Sequence, residues 1–240
     1  PLYSSAASDV YKRQEINSAI TEEITSAFKV IDVNQCKLSA FTVIEKDMLD
    51  LGPTFLDGYI RMFLKDALLT GLEKGIVDGT GKAQPIGLTR NVSKDVTVTG
   101  GVYPKKEKIE VTSFIPSAYG ELLAKMVKNE NGRNRKFDKV LMICNQTDYL
   151  RKVMPATTYL NAAGAYVNNL FPFPTDVEIS NELDEGEAIV CLPDEYFMGI
   201  GGAKEGVIEY SDDLKFLEDK RVYKIKMYGM GKAYDNTVSC

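Results

Sequence analysis

PTFLDGYIRMFLKDALLTGLEKGIVDGTGKAQPIGL, residues 53–88, joins a long periodic segment to a turn built of glycines and a proline. Phe55, Leu56, Tyr59, Ile60, Phe63, Leu64, Ala67, Leu68, Leu72 and Ile76 recur at spacings of three and four. That periodicity predicts a helix from Pro53 to about Val77 with one broad apolar face. Proline suits its first turn, and Asp57 and Arg61 form an i,i+4 pair on the other face. At 1.5 Å per residue such a helix is about 36 Å long, which suits an extended scaffold better than a compact α/β domain.

The helix should stop in Asp78-Gly79-Thr80-Gly81, followed by Pro85 and Gly87, a defined turn that sends the chain back from the helix end. Gly81-Lys82 also invites a phosphate-loop reading. The Walker pattern needs a glycine five residues earlier and Ser or Thr after the lysine, whereas Ile76 and Ala83 stand there. The turn also follows a helix instead of linking a strand to one.

Upstream, ITSAFKVIDV (24–33) and KLSAFTVI (37–44) are β-rich and flank Asn34-Gln35, which predicts a hairpin. Polar residues at alternate places leave one face exposed or free to protrude. Residues 1–14, PLYSSAASDVYKRQ, show neither period of hydrophobicity and are set aside as a non-native leader. Downstream, residues 89–112 are polar and β-prone, and Lys105, Lys106 and Lys108 read as a solvated face. A helix over 116–129 and a buried strand at 138–144 follow, with Asn145 as N-cap of a helix through Met154. Residues 155–185 look loose. AIVCLP (188–193), GVIEY (206–210) and RVYKIKMYGMG (221–231) read as strands, the last alternating Val222, Lys224, Lys226 and Tyr228 with Tyr223, Ile225 and Met227.

Composition narrows the function classes. The 240 residues hold 29 Lys+Arg against 34 Asp+Glu, a net charge of -5, which argues against a surface devoted to gripping phosphates. No histidine is present, so Ser-His-Asp and Cys-His mechanisms and imidazole metal ligands are excluded. Cys36, Cys144, Cys191 and Cys240 show no C-x-x-C spacing and read as reduced, mostly buried thiols. No apolar run approaches the length of a membrane span. Met198-Gly199-Ile200-Gly201-Gly202-Ala203-Lys204 lacks the third glycine of a dinucleotide fingerprint and reads as a strand-to-strand turn. The acids at 184–187, 194–195 and 212–213 lack calcium-loop spacing. No catalytic residue, cofactor site or metal site is expected, and an α+β fold is.

Taken in order, the hairpin ending in Lys37-Leu38 and Val43-Ile44-Glu45-Lys46-Asp47-Met48-Leu49, the long helix, the Asp78–Gly87 turn, and DKVLMICN (138–145) resemble the major capsid proteins of tailed phages, the Hong Kong 97 type. The resemblance implies an extended E-loop arm at 15–46 and a peripheral domain with a spine helix at 47–112. It further implies an axial domain at 113–210 and return strands at 211–240. One departure is Leu170-Phe171-Pro172-Phe173-Pro174, where the family often has Gly-x-Pro.

By the same resemblance the chain would be a non-enzymatic head protein, self-assembling through pentamers and hexamers into an icosahedral shell around the genome. Its partners would be its own copies, a portal protein, a scaffold or maturation protease, and weakly held packaged DNA, with no membrane. It would reside in the virion after assembly in the bacterial cytoplasm. Some such shells carry a self-made Lys-Asn isopeptide bond, for which Lys29, Lys37 and Asn236 have suitable side chains. An encapsulin-like cellular compartment shares the fold and is the alternative; a nucleotide-binding enzyme rests on Gly81-Lys82 alone.

Overall fold

The computed structural model describes residues 36–47, 53–201 and 207–240, with side chains of the long helix described from Gly58 onward. The leader, the strand expected at 24–33, its turn at Asn34-Gln35 and Lys29 lie outside the described residues. In chain order the elements are β1 (Cys36–Glu45), α1 (Pro53–Asp78), α2 (Pro116–Val127), β2 (Val140–Cys144) and a helical run. That run comprises α3 (Gln146–Asp148), a π turn (Tyr149–Val153) and α4 (Met154–Thr157). Then come β3 (Tyr159–Leu160), β4 (Tyr166–Val167), β5 (Thr175–Ile179), β6 (Ala188–Cys191), β7 (Tyr196–Gly201), β8 (Val207–Ser211) and β9 (Lys220–Ala233).

The 14-residue β9 organises the larger sheet. One edge pairs antiparallel with β1, from Cys36 opposite Gly229 to Glu45 opposite Lys220. The other edge takes β8, with Val207 opposite Lys226, and then β7, with Tyr196 opposite Ala233. β7 and β8 thus join β1 and β9 in the larger sheet, and Tyr210 falls within the β8–β9 pairing. The expected turn at Met198–Lys204 is corrected in part, because Met198 to Gly201 belong to β7.

Alternation in β9 follows the sequence pattern, with Tyr223, Ile225 and Met227 buried. They pack with Ile44 of β1 and with Ile60, Leu64 and Leu68 of α1. Burying these three helix residues stabilises the fold by roughly 5–9 kcal/mol before entropy is counted. The apolar face of α1 is only partly used: Tyr59 and Phe63 stand about half exposed and Ala67 is also exposed. A sheet on one side covers one i,i+4 row, and each neighbouring residue is turned by about 100°.

The smaller sheet runs β5-β2-β6, with β2 parallel to β5 and antiparallel to β6. Residues 238–240 extend it, since Val190 and Cys240 exchange N–H···O bonds of 2.9 Å and the Leu192 N–H donates to the Val238 carbonyl. Val140, Met142 and Cys144 point to α2, where Tyr119, Leu122, Leu123 and Met126 are buried. Ile143, Ile189 and Cys191 point the other way and meet Val77 at the end of α1 together with Leu88 and Leu183. Buried on both faces, β2 reads VLMIC without alternation. Helix α1 therefore contributes to two cores, one beneath each sheet.

Two sequence expectations change. The stretch 155–185 contains the β3–β4 hairpin and β5, which pairs with β2 although Pro172 and Pro174 precede it. The β-prone residues 96–103 form only a tight Thr99–Val102 turn, where Gly100 and Gly101 adopt φ of 61° and 83° and reverse the chain.

Candidate functional site

The turn predicted at 78–87 is a junction held by a dense set of backbone hydrogen bonds. The Gly79 N–H donates to the Gly75 carbonyl, Gly81 to Pro85, Gly87 to Gly79, Leu88 to Ile76 and Thr89 to Val77. Ile86 donates to the Gly231 carbonyl of β9 at 2.8 Å, and the Tyr196 hydroxyl of β7 donates to the Ile86 carbonyl at 3.0 Å. Tyr103 donates to the Thr80 carbonyl, bringing in the following loop. Thus the end of α1 is hydrogen-bonded to the larger sheet while its side chains reach the smaller one.

Glycine is required here for space. A Cβ on Gly79 would lie 2.2 Å from the Pro85 carbonyl oxygen and 2.3 Å from that of Gly75. On Gly87 it would lie 2.6 Å from the Gly79 nitrogen. This arrangement also disposes of the phosphate-loop reading: the glycine N–H groups that would cradle a phosphate donate to carbonyls, and Lys82 is exposed.

Charge converges on Asp78. Its carboxylate accepts from the Thr89 hydroxyl at 2.5 Å and pairs with Arg90 at 3.1 Å and Lys105 at 3.2 Å. Burial pushes the carboxyl pKa up, but the Thr89 bond and the two cations outweigh it and hold the group below the usual range. Arg90, 9% exposed, also donates to the Asp78 and Tyr103 carbonyls at 2.9 and 3.3 Å. The last turn of α1 has no basic residue of its own, so Arg90 supplies the positive charge a helix C-terminus favours.

The lysine cluster is a solvated face except at Lys106, since Lys105 and Lys108 stay exposed while each keeps an intrachain partner. Lys105 pairs with Asp78, Lys108 with Glu187, and Lys106 turns inward. The Lys106 Nζ donates to the Asn236 carbonyl (2.7 Å), the Ser239 carbonyl (2.8 Å) and the Ser239 hydroxyl (2.7 Å), and burial lowers its pKa to about 8. Local sequence carries no signal for this, since the acceptors lie some 130 positions away. A second pair missed by sequence reading is Arg135 with Asp235, both largely buried, with Arg135 also donating to Thr237 at 3.0 Å.

Of the residues considered for crosslinking, Lys37 is exposed on β1 opposite Tyr228. Asn236 lies beyond the end of β9, where its side-chain oxygen accepts from the Val92 N–H at 3.1 Å. The two are not brought together within the chain. Asp212 is held by Arg221, and Glu187 by Lys108. Among the described residues no group of three His, Cys, Asp or Glu could hold a metal. A hollow of about 790 Å³ lies beneath the loop at 105–116, lined chiefly by apolar residues such as Leu88, Phe114, Leu122, Met142 and Val153. Of the charges at its rim, Lys108 pairs with Glu187 and Lys152 with Asp148.

A locked helix end, two sheets sharing one helix and paired carboxylates describe a scaffold. A sequence model of the phage capsid family matches residues 5–140, more than half of the chain. The chain belongs to the phage capsid family. It is a major capsid protein, a structural protein of the virion shell that associates with copies of itself.

Solved structures agree at the level of fold. The capsid of an empty GTA particle is 12% identical, with 85% of this chain and 71% of that one aligned and a TM-score of 0.52. A structure from Gordonia phage Cozz is also 12% identical, covering 86% of this chain and 69% of that one at a TM-score of 0.51. One from Mycobacterium phage Ogopogo is 11% identical, covering 85% and 74% at 0.50. The capsid protein thus has the α+β Hong Kong 97-type fold. No curated protein matches it. Among the described residues no helix is long and apolar enough to cross a membrane.

Proposed function

We propose that this capsid protein forms pentamers and hexamers that close into the icosahedral head of a tailed double-stranded DNA phage, assembling in the bacterial cytoplasm. Portal, scaffold and maturation protease are the expected partners, and packaged DNA is held weakly because the chain is acidic. The observation that carries this reading is α1, which underlies both sheets and ends in a junction bonded to β7 and β9. A subunit pulled by neighbours on several sides needs its two halves rigidly linked.

In this reading the larger sheet with most of α1 is the peripheral part, and α2 with the β5-β2-β6 sheet is the axial part. The E-loop arm lies upstream of and including β1. The turn residues Asp78, Gly79, Thr80, Gly81, Pro85 and Gly87 act as a structural turn that locks the end of the spine helix between the parts, and not as a binding site. Lys37 would reach Asn236 only across a subunit boundary. Size-exclusion chromatography with negative-stain microscopy tests the reading: rings of five or six and closed shells are expected. A monodisperse monomer under varied salt and crowding would overturn it.

A further inference from the structure

The segment that leaves α2 and enters β2 reverses the sign of the chain. Between residues 125 and 139 stand six cations, Lys125, Lys128, Arg133, Arg135, Lys136 and Lys139, against Glu130 and Asp138, whereas the whole chain has 34 acids to 29 cations. The stretch is a folded tip. Lys128 and Asn134 form an antiparallel bridge, the Arg135 N–H donates to the Val127 carbonyl at 2.8 Å and the Asn129 N–H to the Arg133 carbonyl at 3.0 Å. Gly132, at φ of 75°, turns the chain and donates to the Asn129 carbonyl at 2.9 Å. Arg135, bound to Asp235 and Thr237, anchors the base, and the Lys94 Nζ donates to the Asn131 side-chain oxygen at 2.7 Å.

Pairing sorts these charges. Arg135 and Lys139 are answered by Asp235 and Asp176, and Lys136 faces Asp138 at 3.7 Å. Glu130 is turned back on the body, where it accepts from the Asn236 N–H at 3.2 Å. Lys125, Lys128 and Arg133 are exposed and pair with no acid among the described residues. The basic strand β9 differs, since Arg221, Lys220 and Lys226 are held by Asp212, Glu218 and Glu209. Nothing apolar accompanies the free cations: no large hydrophobic side chain is exposed between residues 116 and 149. A membrane surface needs apolar anchors and a protein interface an apolar centre. A phosphate backbone needs only cations and small polar donors, which Asn129, Asn131 and Asn134 supply beside them.

We propose that this tip is a non-specific contact for duplex DNA, in which Lys125, Lys128 and Arg133 face backbone phosphates. The proposal rests on the capsid reading, which supplies the DNA, and narrows the weak hold of an acidic chain to one place. It is tested by titrating a short fluorescent duplex with the full chain at several salt concentrations. The tip variant combines Lys125→Gln, Lys128→Gln and Arg133→Gln. A control of equal charge change combines Lys74→Gln, Lys82→Gln and Arg151→Gln, three exposed cations elsewhere. Because none of the three tip side chains holds an acid, the tip variant should melt with the parent.

At low salt the tip variant should bind the duplex about tenfold more weakly than the control, and the slope of log affinity against log salt should fall by about 2–3. Equal losses in the two variants, or tighter binding of the parent to phosphatidylglycerol vesicles than to the duplex, overturns the DNA contact and leaves the capsid reading standing. A parent chain that never leaves the monomer overturns the capsid reading, while the same titration still decides whether the tip grips phosphate.

Discussion

The Arg90 guanidinium donates to the main-chain carbonyl of Asp78 at 2.9 Å and faces that residue's carboxylate at 3.1 Å, so one side chain from the following loop closes the end of α1 twice. Removing it leaves carbonyls without donors and a carboxylate held by Lys105 and Thr89 alone. Because Asp78 keeps about a third of its exposure, solvent screens part of the loss. Arg90→Ala should therefore cost about 2–3 kcal/mol, below the full range for a buried pair. An unchanged urea midpoint would refute this, and Arg90→Lys, with a single charged point in place of the fork, should recover only part of the loss.

Asp78 also sets an acid limit. Its folded pKa is depressed, so its contribution is present above the unfolded value near 3.9 and is lost as pH falls through the folded value. Stability measured between pH 5 and about 2 should fall less steeply in Asp78→Asn than in the parent. Parallel curves would count against the pairing.

Lys106 acts at the other end of the scale. Its folded pKa of about 8 lies below the unfolded value near 10.4, so the unfolded chain binds more protons in that window. Stability from this group should rise as pH increases from 8 to 10, by up to about 1.4 kcal/mol per unit of pKa difference. Lys106→Met should lose that rise while being less stable throughout, since the Asn236 and Ser239 carbonyls lose their donor. Chemical denaturation of both proteins across this range decides it.

Two glycine substitutions should have opposite signs. Gly79→Ala forces a Cβ into the Pro85 and Gly75 carbonyls and should destabilise by more than about 3 kcal/mol, or prevent soluble expression. Gly120→Ala, exposed in α2 with nothing within 4 Å, should raise stability by about 0.5–1 kcal/mol. Equal thermal shifts in the two would contradict the packing at the junction.

The thiols should be slow to react until the fold opens. Burial raises the pKa of Cys191 to about 12 and of Cys240 to about 11, and raises those of Cys36 and Cys144. At pH 8 little thiolate is present to attack an alkylating reagent. Labelling by iodoacetamide should therefore follow unfolding, and rapid modification of Cys144 or Cys191 in native buffer would be inconsistent with their burial.

Much of the fold could be read from local pattern. The 3.6-residue period of α1, the two-residue period of β9 and the glycines at 79 and 87 each leave a mark in sequence because their causes lie within a few positions. The breadth of the α1 apolar face misled: periodicity reports which residues could be covered, while the one-sided sheet covers the Ile60, Leu64 and Leu68 row, with Leu72 partly buried beside it. Lys106 and Arg135 were unreadable because their partners are about a hundred or more positions distant. β5 was hidden by the prolines before it and by a parallel partner, β2, more than thirty residues upstream.

Mechanically, α1 is a beam clamped at both ends by different layers, by Ile60 to Leu68 at one and by Val77 at the other. Between the clamps stand Gly71, against which Leu38 rests, and Gly75, against which Pro85 rests. Glycine lowers the stiffness of a helix, so strain imposed on either sheet by neighbouring copies will bend the beam at this span first. Subunits seated at positions of different curvature would then differ in the angle of α1 over residues 71–75 while each sheet keeps its own shape.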